Sequence, residues 1–248
     1  MVACPLTLLN LVAAGRKGAK GPVRYPTIFG LLFQLFGVSV IYPMLWVPSY
    51  IISSKESKLG VPTTNLRIIY ATILTLPGII LTFLVFSADT DSRVWSISAA
   101  ILGGPIIAMS GLALWFDKSS SLVATIPNMT KSSDSIQKAY SLLSWLSFAM
   151  WACMVAIAYQ TYASFGDMWS AIWVNAGPSV AFMTIDTIVL YLGMLIFIAY
   201  HSEKKALKAL LLTPLLGPGS ACSKAIKELE RGATTEMIDE ITQIRKSI

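Results

Sequence analysis

The residue of this 248-residue chain best suited to chemistry is an aspartate set in an apolar run. Asp186 lies in Phe182-Met183-Thr184-Ile185-Asp186-Thr187-Ile188-Val189, with no basic side chain in the same run before His201. A carboxyl taken out of water with no cation beside it favours its neutral form, an acid with a proton to give. Ionisable groups in apolar spans are functional candidates by default, although a protonated aspartate can also simply hydrogen-bond a neighbouring helix. Gln34, in Gly30-Leu31-Leu32-Phe33-Gln34-Leu35-Phe36-Gly37, is the second polar intruder, with interhelical glue as its ordinary alternative. Pro26 and Pro178 suit the first turns of their helices. Each polar residue then lies eight positions on, about 12 Å along the axis at 1.5 Å per residue. Four crossings lead from the start of the first span to the start of the fifth, so both enter from one membrane face and Gln34 and Asp186 should share a depth.

Around that depth stand Phe33, Phe36, Tyr42, Trp46, Trp145, Trp151, Tyr159, Phe182 and Tyr191. Each aromatic face stabilises a nearby cation by roughly 0.5 to 2 kcal/mol. Phe33, Tyr42, Trp46, Trp151, Phe182 and Tyr191 are the candidates for holding a substrate, against the ordinary reading of packing. Trp95, Trp115, Trp169 and Trp173, at span edges, fit interface anchors. Pro43, Pro48, Pro77 and Pro105 fall inside apolar runs, where proline breaks helical hydrogen bonds and often widens a cavity. An acid with aromatic shelter suits protonation of an apolar substrate.

Other chemistries lack their parts. The chain has no Asp-Asp-x-x-Asp cluster, Gly-rich phosphate loop, Gly-x-Ser-x-Gly elbow or dinucleotide fingerprint. The close acidic pair Asp89-Thr90-Asp91 reads as a solvated turn. Cys4, Cys153 and Cys222 share no motif spacing and His201 is the one histidine, so neither a disulfide framework nor a metal site is expected. No cofactor is implied.

The elements that must position these residues are membrane helices. Hydrophobic residues make up 55% of the chain and charged ones 13%, and the mean hydropathy is +0.66. So few charges cannot coat a soluble globule, and they bunch between apolar runs. Five stretches reach the roughly 20 residues that a bilayer requires: Pro26 to Ile52, Arg67 to Ser87, Val94 to Phe116, Tyr140 to Ala163 and Pro178 to Tyr200. A sixth candidate, Leu207 to Cys222, is interrupted by Pro214, Gly217, Pro218 and Gly219. The expected fold is an all-α polytopic bundle of about six spans over residues 1–223, followed by an amphipathic surface tail over 224–248.

The net charge of +6 sits beside apolar segments, which points to membrane orientation and away from nucleic acid. Lys55, Lys58 and Arg67, then Lys118, Lys131 and Lys138, then Lys204, Lys205 and Lys208 follow the first, third and fifth spans, placing those loops in the cytosol. Arg16, Lys17, Lys20 and Arg24, before the first span, contradict that orientation. Because this basic cluster follows the apolar piece Cys4 to Ala14 rather than preceding it, that piece does not read as a signal peptide. The sequon Asn128-Met129-Thr130 falls in a loop expected to face the cytosol and stay unglycosylated. No internal repeat of transporter type is present.

Three segments carry a family resemblance. Gly15-Arg16-Lys17-Gly18-Ala19-Lys20-Gly21 running into Tyr25-Pro26-Thr27-Ile28-Phe29-Gly30 and Gln34-Leu35-Phe36-Gly37, with Tyr42-Pro43-Met44-Leu45-Trp46, resembles the start of the small integral-membrane terpene cyclases of fungal meroterpenoid biosynthesis, the ascofuranone and macrophorin type. The Ile185-Asp186 helix and Leu216-Gly217-Pro218-Gly219 resemble that group's later segments. The resemblance implies a cofactor-free cyclase of the endoplasmic reticulum membrane. Such an enzyme protonates an olefin or epoxide of a lipophilic isoprenoid or prenylated aromatic, with Asp186 as the acid or its partner and Gln34 orienting the acid or the substrate oxygen. Ala13 and Ala19 stand where the family pattern has a Glu and an Asn, and Lys224 to Glu228 stands where a Trp-Arg-Glu-Glu run is usual. The rival reading is a non-catalytic transporter or scaffold in which Asp186 relays protons or pins helices.

Overall fold

The structure is a computed structural model describing residues 3–16, 21–53, 59, 126–175 and 177–247. Among the described residues the backbone is helical and no strand occurs. The expected spans at 67–87 and 94–116, with Pro77, Pro105, Trp95, Trp115 and the Asp89 and Asp91 pair, lie outside the described residues, as does the side chain of Gln34.

Helix α1, Ala3–Gly15, is apolar on every side, and a helix of that kind must be buried. Leu6, Leu8, Leu9, Leu11, Val12 and Ala13 accordingly sit in the core. A short 3-10 turn, Pro22–Arg24, leads to α2, Pro26–Phe36. Pro26 opens α2 because its missing N–H would be unpaired there in any case. Gly37, at φ 87°, ends it, and the Gly37 N–H bonds back to Phe33 O. Helix α3, Val38–Ile41, then leads through a π turn, Tyr42–Trp46, into α4, Val47–Ser53. Pro43 sits in that π turn, where its absent donor and its ring disfavour regular α geometry.

This first apolar stretch is not one continuous helix. The chain reverses at Gly37 and returns, so that a Cβ built on Gly21 would lie 3.2 Å from Ser53 Oγ. Residues 21 and 53 are therefore neighbours, and the segment between them is a helical hairpin with its tip at Gly37. An even apolar run gives no sign of direction, and a single positive φ, available to glycine at little cost, turned it.

Helix α5, Ile126–Thr161, has 36 residues, about 54 Å at the usual rise. It begins well before the expected Tyr140, and the sequon Asn128-Met129-Thr130 lies in its first turns. Ser164 caps α6, Phe165–Trp173, by accepting from the Asp167 N–H at 3.1 Å. Helix α7, Pro178–His201, follows as expected. The stretches Met129–Thr161 and Val180–His201 are long and apolar enough to cross a membrane, the two of that kind among the described residues. Large apolar side chains stand outward along both, including Trp145, Ile157 and Tyr159 on α5 and Phe182, Leu192 and Ile196 on α7.

The sixth expected span is corrected in the same way as the first. Helix α8, Glu203–Leu216, stops at Gly217, with φ 78°, and α9, Pro218–Ser247, begins at once. Pro214, inside α8, weakens its last turns, and Pro218 suits the first position of α9. Tyr191 on α7 bonds Thr213 on α8, and Ser220 and Thr234 on α9 bond Ser144 and Ser133 on α5. Helix α8 therefore runs back along α7 and α9 returns along α5, making a second hairpin with its tip at Gly217. The expected tail boundary at Lys224 falls inside α9. Ala225, Ile226, Leu229, Glu230 and Thr234 are buried, so the first half of the tail is core rather than surface. Small residues line this seam, Ser132, Ser133, Ser144 and Ser147 on α5 against Gly219, Ser220, Ala221 and Ser223 on α9, which lets the helices approach closely.

Candidate functional site

Helix α7 organises the site, and the stretch α3 to α4 lies along it in parallel. The pairs Ser39 with Asp186, Tyr42 with Gly193, Trp46 with Phe197 and Tyr50 with His201 ascend together. At the lower end the tip of the first hairpin meets Asp186. The Ser39 hydroxyl donates to Asp186 Oδ1. A Cβ built on Gly37 would stand 3.9 Å from the same oxygen. Ser39 is buried and Asp186 half-buried.

Gln34 is three residues before Gly37 on the α2 backbone, so the tip brings its turn to the depth of Asp186. The expected reason was different: both helices were to start from one face. Pro26 in fact begins at the His201 end of α7, with Gly21 beside Ser53, while Pro178 begins at the other. The shared depth comes from the reversal.

The aromatic candidates divide. Tyr42 and Trp46 are fully buried, with ring centroids 5.3 Å apart, and continue through Tyr50 to Phe197 as one packed ladder. A Cβ on Gly193 would come within 3.1 Å of the Tyr42 ring, so this glycine lets the ladder lie against α7. Phe33 packs on the core edge, 6.3 Å from Phe29. Tyr191, one and a half turns from Asp186, is tied to Thr213 near the second tip. Trp151 lies against Gly217, where an added Cβ would meet its side chain at 2.6 Å, and its indole N–H donates to Pro214 O at 3.3 Å. Phe182 faces outward, 65% exposed. Asp186 thus has the first tip beside it and Tyr191 leading to the second.

At the upper end of the ladder lies a second polar group that the sequence did not single out. The Arg16 guanidinium holds Glu230 through Nη2 to Oε2 at 2.7 Å and Nη1 to Oε1 at 3.2 Å, with both side chains at most 2% exposed. Burial works to lower the pKa of Arg16, while the charge and hydrogen bonds of Glu230, with smaller contributions from Tyr50 and Tyr140, raise it, and the net direction is upward. Trp46 Nε1 donates to Asn10 Oδ1 at 2.9 Å. The hydroxyls of Tyr42, Tyr50 and Tyr140, with Asn10 Nδ2 and His201 Nε2, are buried with no hydrogen-bond partner among the described residues. Ala13 is buried about one turn before Arg16.

Among the described residues no group of three His, Cys, Asp or Glu is placed to hold a metal ion. The chain matches no protein-family model, no curated protein and no solved structure.

Proposed function

We propose that the chain is an integral membrane protein whose reacting group is the Asp186 carboxyl, and that it is a cofactor-free cyclase of a lipophilic isoprenoid, acting in the endoplasmic reticulum membrane. The observation that carries this reading is the meeting of Asp186 with Ser39 at the broken helix tip, between apolar helices. Irregular backbone at membrane depth is tolerated where protein buries it, and such tips commonly border binding sites. With Ser39 donating to Oδ1, that oxygen serves as the acceptor of a neutral acid and Oδ2 carries the proton. The proton passes to an olefin carbon or an epoxide oxygen of the substrate, leaving a carbocation that the substrate's own π bonds close into a ring. Loss of a proton from a carbon next to the cation, or capture by a substrate hydroxyl that then gives up its own proton, ends the reaction, and the released proton restores the Asp186 acid. Gln34 orients the substrate oxygen, and Tyr191 and Phe33 border the cation.

The test is conversion of prenylated phenols and their terminal epoxides by membranes containing this chain, beside Asp186→Asn. New cyclic product, lost in the variant while the protein accumulates normally, supports the assignment. Equal product from the variant overturns it.

One observation favours a second reading. The hydrogen bond from Ser39 is also what a helix-pinning or proton-relaying aspartate would make, as in a carrier or scaffold. Proton flux into vesicles without any substrate conversion would select it.

A further inference from the structure

Beyond the end of α7 lies an open cleft of about 720 Å³, bordered by His201, Ser202 and Lys205 on one wall and by Gly232, Glu236 and Glu240 of α9 on the other. Its floor is apolar, formed by Leu59, Leu229 and Met237. The two walls differ in charge. Lys205 Nζ donates one hydrogen bond, to Glu228 O at 2.9 Å, and an ammonium has two further donors to offer. The Ser202 side chain makes no cap hydrogen bond to α8, so its hydroxyl adds a donor to that wall. A Cβ on Gly232 would lie 3.6 Å from Lys205 Nζ, which fixes the lysine at that level of α9. Glu236 is one turn further along α9, about 6 Å, and Glu240 two turns, about 12 Å.

We propose that this cleft binds the zwitterionic headgroup of a membrane phospholipid, a phosphate joined to an ammonium by a short linker. The phosphate sits against Lys205 and Ser202, the ammonium against Glu236 and Glu240, and the glycerol rests on Leu229 and Met237. Opposed charges one helical turn apart match a ligand that carries both signs, whereas a purely anionic headgroup would meet two carboxylates. The source is the bilayer rather than solution. The cleft opens at His201, the last residue of a stretch long and apolar enough to cross a membrane, which is the level at which headgroups lie.

The experiment uses the full chain, delipidated in detergent, titrated with dihexanoyl phosphatidylethanolamine, dihexanoyl phosphatidylglycerol and free phosphoethanolamine, with tryptophan fluorescence as readout. The wild type should bind the ethanolamine lipid about tenfold more tightly than the glycerol lipid. Glu236→Gln combined with Glu240→Gln, at two exposed positions, should erase that preference, and Lys205→Met should weaken both lipids. Circular dichroism reports whether each variant keeps its helices, and the exposed double variant keeps the test decisive if Lys205→Met does not fold. Equal binding of the two lipids by the wild type, or a preference unchanged in the double variant, overturns the proposal. Free phosphoethanolamine binding as tightly as the lipid would assign a soluble ligand and overturn the bilayer source.

Discussion

Replacing Glu230 by glutamine removes the charge that neutralises a guanidinium with almost no access to water. Arg16 and Glu230 come from opposite ends of the chain, 214 positions apart, and both side chains are at most 2% exposed. Breaking a buried pair by removing one partner costs about 3 to 5 kcal/mol. Domains are stable by only about 5 to 15 kcal/mol, so the loss takes a large share of the total. At about 2 to 4 °C per kcal/mol for a chain of this size, the melting temperature should fall by roughly 6 to 20 °C. Arg16→Met should give a loss of the same order. The double variant Arg16→Met with Glu230→Met should recover part of it, since an apolar pair of similar volume avoids the desolvation of two charges. The assay is thermal unfolding of the purified chain in one detergent, followed by circular dichroism. A Glu230→Gln protein melting within about 2 °C of wild type would show that the Arg16 and Glu230 pair does not carry this stability.

Three further outcomes are expected. Gly217→Ala should be costlier than Gly37→Ala: both force an L side chain into positive φ, at about 1 to 2 kcal/mol, but only the Gly217 Cβ collides, at 2.6 Å from Trp151. Similar unfolding midpoints for the two would contradict the packing described at the second tip. Trp46→Phe removes the donor to the buried Asn10 Oδ1 and should lower stability by about 1 to 3 kcal/mol, read by the same melts; an unchanged midpoint would count against that hydrogen bond. Ser39→Ala loses the hydrogen bond to Asp186 and, under the proposed function, should reduce cyclisation by about 10- to 100-fold without abolishing it; activity equal to wild type would separate Ser39 from the proposed chemistry.

Much of this was readable from residue types alone. Asp186 stood out because an unpaired carboxyl in an apolar run is costly, and Pro178 marked the start of its helix because proline fits the first turn. The two long crossing candidates followed from the length of their apolar runs. The hairpins did not, because hydropathy measures how much of a stretch is apolar and carries no information about direction. Gly37 and Gly217 reverse the chain through positive φ, and neither is distinguishable in sequence from a glycine that serves packing. This reversal also resolves the conflict over orientation: Arg16 at Glu230 and Gly21 beside Ser53 lie at the same end as Lys205 at Glu228. The Arg16 and Glu230 pair escaped notice for another reason, since neither residue interrupts an apolar run and only the fold brings them together.

The measurement that tests the account most directly is the sidedness of the first hairpin. Single cysteines at Arg24, Ser53, Lys204 and Ser164, in a chain whose native cysteines are replaced by alanine, are labelled in sealed membrane vesicles with an impermeant maleimide. Positions 24, 53 and 204 should react from one face and position 164 from the other. Labelling of positions 24 and 53 from opposite faces would make residues 26–52 a simple crossing and would remove the tip from Asp186.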